Sequence, residues 1–174
     1  MASELKNLSV AEGTEVPSAK GMKFGIVWAE WNHEITHALK QGAYDTLIKY
    51  GADPKDITER TVPGSFELTL GGQYLAEYSD ADAIICIGCV IQGDTKHFDF
   101  ICDAVAKGIT DLNLKYNKPF IFGVLTPNTM QQAIDRAGGV HGNKGDEAAI
   151  TAIKMLGMRN SLKQVHGGVG YGKT

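Results

Sequence analysis

The run of residues 83–91 (AIICIGCVI) constrains the fold of this chain most, because it is almost continuously apolar. Such a run is typical of a strand that is covered on both faces, as strands are in parallel sheets with helices on either side. The run is too short to span a bilayer, which takes roughly 20 apolar residues in a helix. We therefore predict that it forms the central strand of a buried parallel sheet.

Strand and helix patterns alternate on both sides of this run. Three other short apolar segments are predicted to be strands: residues 23–30, 57–62 and 119–126. Helices are predicted where apolar side chains recur at spacings of three and four: residues 33–50, 66–75, 95–116, 129–137 and 143–158. Asn32, Ser65 and Thr129 are of the residue types that cap helix N-termini, and Asn143 can start the last helix.

Alternating strands and helices predict the class α/β, with right-handed crossovers between parallel strands. The expected architecture is a three-layer α/β/α sandwich with a central four-stranded parallel, flavodoxin-like sheet. Ligands in such folds bind beyond the carboxyl ends of the strands, where the strand-to-helix loops converge. Four loops are therefore candidate site segments: residues 30–32, 63–67, 92–97 and 126–128.

Length and charge limit the organisation and the partners of the chain. With 174 residues, of which 43% are hydrophobic, we expect one domain over residues 21–160, a flexible arm over 1–20 and a flexible glycine-rich tail over 161–174. A net charge of -3 argues against binding to nucleic acid or an anionic membrane. The polar start and the three sparse cysteines favour the cytoplasm.

Two short motifs match known patterns but lack the context that those patterns need. His33, Glu34 and His37 reproduce the zinc-protease pattern, yet no third ligand is predicted within reach, so we expect an exposed helix start rather than a metal site. The segment 167–174 has the letters of a phosphate-binding loop, but no helix follows it to supply amides to the phosphates.

A third motif, the C-x-x-C of Cys86 and Cys89, lies within the central strand. An odd separation sends two side chains to opposite faces of a strand, so these thiols cannot share a metal or a disulfide. Core packing is expected for Cys86 and Cys102. Cys89 is nearer the end of the strand and can line a site through its backbone.

Five segments together resemble the lumazine synthases in order and spacing: KFGIVWAEWNHEIT, VPGSFELTL, IGCVIQGDTKHFDFI, PFIFGVLTPNTMQQAIDRAG and GNKGDEAA. The resemblance covers about residues 20–160. It implies a cofactor-independent enzyme that condenses 5-amino-6-(D-ribitylamino)uracil with 3,4-dihydroxy-2-butanone 4-phosphate, releasing phosphate and two waters. The product, 6,7-dimethyl-8-ribityllumazine, is the precursor used in the last step of riboflavin biosynthesis.

By this resemblance, one set of residues holds the pyrimidine and its ribityl chain. Trp31 matches the aromatic residue that stacks on the pyrimidine, and an indole face suits a flat ring. Ser65, Phe66 and Glu67 match the stretch that holds the ribityl chain, although Ser65 and Glu67 can equally serve as helix caps. The backbone that reads the pyrimidine is matched by three consecutive residues at the end of the central strand: Cys89, Val90 and Ile91.

A second set matches the groups that bind the phosphate ketone and move protons. Asp94 and Thr95 match the phosphate-contacting turn, where helix amides favour an anion, although the charge of Asp94 would have to point away. Arg136 matches the phosphate-binding arginine, since a guanidinium offers a bidentate clamp. His97 matches the proton-transfer residue. Without the resemblance, Arg136 and His97 are ordinary surface residues.

The resemblance also implies that neighbouring copies of the chain share each site. Phe122 matches an aromatic residue from the adjacent subunit, and Lys144 matches a basic residue near the shared site, while Asn32 beside Trp31 is a further candidate. Alone, Phe122 would be a core residue and Lys144 a solvated one. The family forms homopentamers, and the short linker over 137–143 favours the members that assemble 60 subunits into an icosahedral shell. Riboflavin synthase is a candidate partner.

Three other functions remain open at this stage. A non-catalytic flavin- or lumazine-binding protein would share the fold, and so would a shell-forming protein without activity. Arg136 and His97 beside a phosphate turn argue for turnover in both cases. The zinc hydrolase suggested by His33 and His37 is the third alternative.

Overall fold

A computed structural model describes residues 15–167 of the chain. Its strands are β1 (Phe24–Ala29), β2 (Ile57–Val62), β3 (Ala83–Cys89), β4 (Phe120–Leu125), β5 (Ala137–Gly139) and β6 (Gly142–Asn143). Its α-helices are α1 (His33–Lys49), α2 (Leu68–Tyr78), α3 (His97–Tyr116), α4 (Met130–Arg136) and α5 (Lys144–Gly167). Short 3₁₀ turns precede β2 and α2.

The first four strands form one parallel sheet in the order β2-β1-β3-β4. Every residue of β3 is buried, which confirms the prediction of a central strand covered on both faces. Side chains alternate between the two faces: Ile85 belongs to a core shared with α1 and α5, whereas Ile84 belongs to a core shared with α2 and α3. The protein is therefore the predicted three-layer α/β/α sandwich with a flavodoxin-like sheet.

Two predicted helix bounds were wrong. Helix α3 begins at His97 rather than near residue 95. Helix α5 continues to Gly167 instead of ending near residue 158, and it contains Gly157 in its interior. That glycine makes room for a neighbour, because a Cβ on Gly157 would lie 2.7 Å from Cγ of Pro17. Residues 168–174, which hold most of the phosphate-loop pattern, lie outside the described part of the chain.

Two of the predicted helix caps were also wrong. Asn32 has a left-handed backbone with φ of 56°, and its side chain does not cap α1. Ser65 does not cap α2 but begins a 3₁₀ turn, whose N-terminus is Gly64. Thr129 caps α4 as predicted, since its hydroxyl accepts a hydrogen bond from the backbone N–H of Gln132 at 3.3 Å.

The segment between α4 and α5 is a small hairpin and not a plain linker. Strands β5 and β6 pair antiparallel within it. Its glycines allow the tight turn, because Gly138 and Gly142 both have positive φ. None of the helices in the described residues combines the length and the apolarity that crossing a bilayer would need.

Candidate active site

A cleft of about 610 Å³ opens at the carboxyl edge of the sheet. Its walls come from the loops after β1, β2 and β3 and from the first turns of α3. The residues that line it are Trp31, Asn32, Gly64, Ser65, Phe66, Glu67, Cys89, Val90, Ile91, His97 and Ile101. The structure thus brings together nine of the residues singled out in the sequence, all except Gly64 and Ile101.

The loop after β1 presents Trp31 to solvent while its backbone is held in place. The Trp31 side chain is 73% exposed, although the backbone N–H of the same residue donates to the carbonyl of Pro63 at 3.2 Å. The Asn32 amide donates to the carbonyl of Cys89 at 2.9 Å, which ties this loop to the end of β3. The indole is therefore an accessible flat surface on a fixed support, as stacking on a planar ligand requires.

The loop after β2 separates an exposed carboxylate from a buried hydroxyl. Glu67 accepts a hydrogen bond from the backbone N–H of Gly64 at 3.0 Å. Its side chain is exposed and lines the cleft. The Ser65 hydroxyl is buried and has no hydrogen-bond partner among residues 15–167. It lies against Gly88, where an added Cβ would be 2.5 Å from Ser65 Oγ. Glu67 can accept hydrogen bonds from a ligand, and Ser65 also lines the cleft.

The end of β3 offers backbone rather than side-chain chemistry. The N–H of Val90 donates to the carbonyl of Leu125 at 2.8 Å, and that of Gln92 donates to the carbonyl of Pro127 at 3.0 Å. These bonds hold the strand end rigid beside the cleft. Burial raises the pKa of the Cys89 thiol to about 12, so the thiol is neutral at physiological pH and is no thiolate nucleophile.

His97 stands at the start of α3, and its imidazole is exposed. Its backbone N–H donates to Thr95 Oγ1 at a long 3.4 Å. Asp94 and Thr95 are exposed in the preceding turn but do not line the cleft. Ile101 follows His97 by one helical turn and also lines the cleft, although it was not among the predicted site residues. The spacing of four residues between them was the signal that both face the same side.

Besides Asp94 and Thr95, three further predicted residues do not line the cleft within one chain. Phe122 is 43% exposed on β4, which forms the edge of the sheet. Arg136 ends α4, and its guanidinium donates to the carbonyl of Gln132 at 3.0 Å. Lys144 begins α5 and forms an ion pair with Glu147 that leaves its side chain 15% exposed. Contrary to the solvated lysine expected without a family context, Lys144 is largely shielded.

The cysteines and histidines of the two short motifs also have clear positions. Cys86 and Cys89 are buried in different cores on opposite faces of β3, as their spacing predicted. Cys102 was expected in the core but is only partly buried on α3. His33 and His37 are exposed on α1. Within residues 15–167, no group of three or more His, Cys, Asp or Glu side chains is arranged to hold a metal ion.

The geometry defines the class of the protein. Exposed aromatic rings, a carboxylate, an imidazole and a rigid backbone edge converge in one cleft at the carboxyl ends of parallel strands, where flavodoxin-like folds bind small molecules. The protein is therefore a flavodoxin-like α/β protein with a cleft of the kind that suits a small molecule.

Comparison with known proteins identifies the family. The model of the 6,7-dimethyl-8-ribityllumazine synthase family matches residues 21–160. A protein of that name from Cytophaga hutchinsonii is 60% identical over 156 residues, which cover 90% of this chain and 98% of the relative. Its counterpart in Parabacteroides distasonis is 57% identical over the same coverage. That of Bacteroides fragilis is 58% identical over 143 residues, 82% of this chain and all of the relative. The chain belongs to the 6,7-dimethyl-8-ribityllumazine synthase family.

Proposed function

We propose that this protein catalyses the condensation of 5-amino-6-(D-ribitylamino)uracil with 3,4-dihydroxy-2-butanone 4-phosphate. The products are 6,7-dimethyl-8-ribityllumazine, inorganic phosphate and two waters. One observation carries the assignment: a family member gathers the residues expected around the pyrimidine and the ribityl chain into a single cleft. The reaction is a transferase step that joins two substrates and needs no redox change.

The pyrimidine would rest on Trp31 with its edge against the strand end at Val90 and Ile91. The exposed indole of Trp31 offers a flat surface on which the pyrimidine can stack, and the backbone at the strand end offers it hydrogen-bonding groups. The ribityl hydroxyls would donate to Glu67, whose carboxylate is exposed but fixed by the Gly64 N–H.

His97 would move protons between the two substrates. The amine attacks the ketone to form an imine with loss of water, phosphate is then eliminated, and ring closure releases a second water. Each step needs a proton transfer near neutral pH, which suits an exposed imidazole. The turn that carries Asp94 and Thr95 precedes the N-terminus of α3, where backbone amides favour the phosphate.

Arg136 and Phe122 would complete the site from an adjacent copy of the chain. Both lie outside the cleft of their own chain, and Phe122 is exposed at the edge of the sheet. We propose a homopentamer in which Arg136 clamps the phosphate across the subunit boundary, with twelve pentamers forming a 60-subunit shell. Lys144 would act near the same boundary, in spite of its ion pair with Glu147.

The remaining proposals concern the chain and its surroundings. We propose that residues 21–160 form the single functional domain, flanked by an arm over 1–20 and a tail over 161–174, the first part of which is the end of α5. The protein would work in the cytoplasm. Riboflavin synthase, which consumes lumazine, is the proposed partner.

Incubating the purified protein with both substrates tests the function directly. We expect the absorbance of the lumazine to rise together with one equivalent of released phosphate. A protein that binds flavin or assembles into particles without forming lumazine would contradict the proposal. Omitting either substrate gives the matched control, because neither alone supplies both halves of the new ring.

A further inference from the structure

Two histidines outside the cleft form a pair that the proposed reaction does not use. His33 and His37 lie one turn apart at the start of α1, and both side chains are exposed. Their imidazole rings stack with centroids 5.4 Å apart and planes inclined by 17°. The two rings therefore share one side of the helix and are close enough to act on one small ligand.

Trp28 supports both rings from the sheet side. Its ring centroid lies 5.6 Å from that of His33 and 5.9 Å from that of His37, with tilted and edge-on geometry respectively. Trp28 is itself partly buried and packs against the core beneath α1. Trp28 therefore flanks both imidazoles, while both remain exposed to solvent.

The charges near the pair do not prevent the approach of a cation. Lys40 places its ammonium nitrogen 6.0 Å from the Trp28 ring centroid. Its ammonium group forms an ion pair with Glu59 at 3.1 Å and is 11% exposed, so its charge is balanced locally. Glu34, in the same helical turn as His33, adds an exposed negative charge to the start of α1.

We propose that His33 and His37 form a chelating site for one divalent transition-metal ion at the surface of α1. Neutral imidazole suits zinc, nickel and copper, and among these Cu²⁺ forms the most stable complexes. Two nitrogens come from the protein and water fills the other positions. The site thus differs from hydrolytic zinc centres, which take three protein ligands. It is separate from the cleft, since neither histidine lines it.

Fluorescence of Trp28 reports on this site, because bound Cu²⁺ quenches a nearby indole. The measurement uses the full chain with Trp31→Phe, which leaves Trp28 as the remaining tryptophan. We expect saturable quenching at one Cu²⁺ per chain that a chelator reverses. Loss of one arm of a chelate removes its avidity, so His33→Ala or His37→Ala should each weaken binding by about 10²-fold.

The control variant is His141→Ala, which removes an imidazole from the β5–β6 turn and should leave quenching unchanged. Unaltered affinity in either His33→Ala or His37→Ala would overturn the proposal, as would the absence of saturable quenching before any histidine is replaced. Both imidazoles are exposed, so these substitutions leave the core intact. The titration contains no substrate, and its outcome is therefore independent of the proposed reaction.

Discussion

Side chains around the cleft divide into those that face solvent and those that hold the backbone. Trp31 and Glu67 present their functional groups to the outside. Asn32 turns its amide inwards to the Cys89 carbonyl, and Ser65 buries its hydroxyl against Gly88. Asn32 thus positions neighbours that would contact the substrates, in addition to any contact of its own.

Replacing His97 tests how much of the rate depends on proton transfer. Removal of a general acid–base group costs about 10²–10⁴-fold in rate, whereas orienting two reactants contributes roughly 7–11 kcal/mol. We therefore expect His97→Ala to lower kcat by about 10²–10⁴-fold and to retain measurable turnover. Steady-state kinetics would reveal the change, with His37→Ala as the matched control on a helix start outside the cleft. Complete loss of activity would contradict the expectation.

Arg136 should affect binding more than chemistry. Hydrogen bonds to charged groups contribute about 1.5–3 kcal/mol, so Arg136→Ala should raise KM for the phosphate ketone by about 10–100-fold. Arg136→Lys keeps the charge but loses the bidentate geometry. Its KM for the phosphate ketone should lie between those of the unaltered protein and Arg136→Ala. If Arg136→Ala had the same KM as the unaltered protein, Arg136 would not bind the phosphate ketone.

Gly88 is required by the close approach of Ser65 to the end of β3. An added Cβ would lie 2.5 Å from Ser65 Oγ and 2.9 Å from Leu68 Cδ1. Overpacking of this kind lowers the free energy of unfolding by about 1–3 kcal/mol, which we expect for Gly88→Ala in urea denaturation. Gly93→Ala is the control, because nothing lies within 4 Å of the new methyl group. Equal free energies of unfolding for the two variants would show that the turn at Ser65 moves to accommodate the added methyl group.

At the scale of elements, the crossing of α1 and α5 depends on one asparagine and one glycine. The Asn143 side chain accepts from the Gly145 N–H and donates to the Ala38 carbonyl, both at 2.8 Å. A Cβ on Gly145 would lie 1.8 Å from the Leu39 carbonyl oxygen, so the two helices touch through backbone. The start of α5 is thereby fixed against the middle of α1.

Two substitutions of Asn143 separate its two roles. Asn143→Ala removes both hydrogen bonds and should lower the free energy of unfolding by about 1–2 kcal/mol or more. Asn143→Asp retains the acceptor for the Gly145 N–H but loses the donor to Ala38, and we expect an intermediate loss. Thermal and chemical denaturation measure both. If the aspartate variant is no more stable than the alanine variant, capping is not what fixes α5.

For the whole molecule, the exposed apolar side chains on α2 and α3 are the main unexplained feature. Leu70, Tyr74 and Tyr78 recur at a spacing of four on α2, and Phe100 and Leu114 are 71% and 80% exposed on α3. Extended apolar patches of this kind usually mark an interface with another protein. Contacts between copies of the chain would cover them and bring Phe122 and Arg136 to the neighbouring cleft.

Light scattering tests the proposed assembly. We expect a particle of sixty chains of 18.7 kDa at neutral pH. Tyr74→Glu and Leu114→Glu place charges within the two patches and should dissociate it, with Glu34→Gln as a surface control. A single species near five chains would reject the shell but keep the pentamer. A monomer with full activity would contradict the shared site.

Much of the fold and of the cleft followed from local patterns. Apolar runs and helical spacing predicted all four strands of the main sheet, and the parallel arrangement placed their loops at one edge. The backbone at the end of β3 and the side chain of His97 lie in one cleft because the loops that follow parallel strands meet at the same edge of the sheet. Some errors were local as well: Asn32 and Ser65 both followed the common capping rule, and neither side chain caps its helix in the structure.

The sequence by itself determined the order of the elements and the family, because apolar periodicity and motif spacing are properties of the chain alone. Only the tertiary structure decided what individual polar groups do. The Asn32 side chain donates to the Cys89 carbonyl and does not cap its own helix. Ser65 packs against Gly88, and Pro17 packs against Gly157. Each of these contacts joins residues far apart in the chain, and the space and partners available to them exist only once the layers have packed.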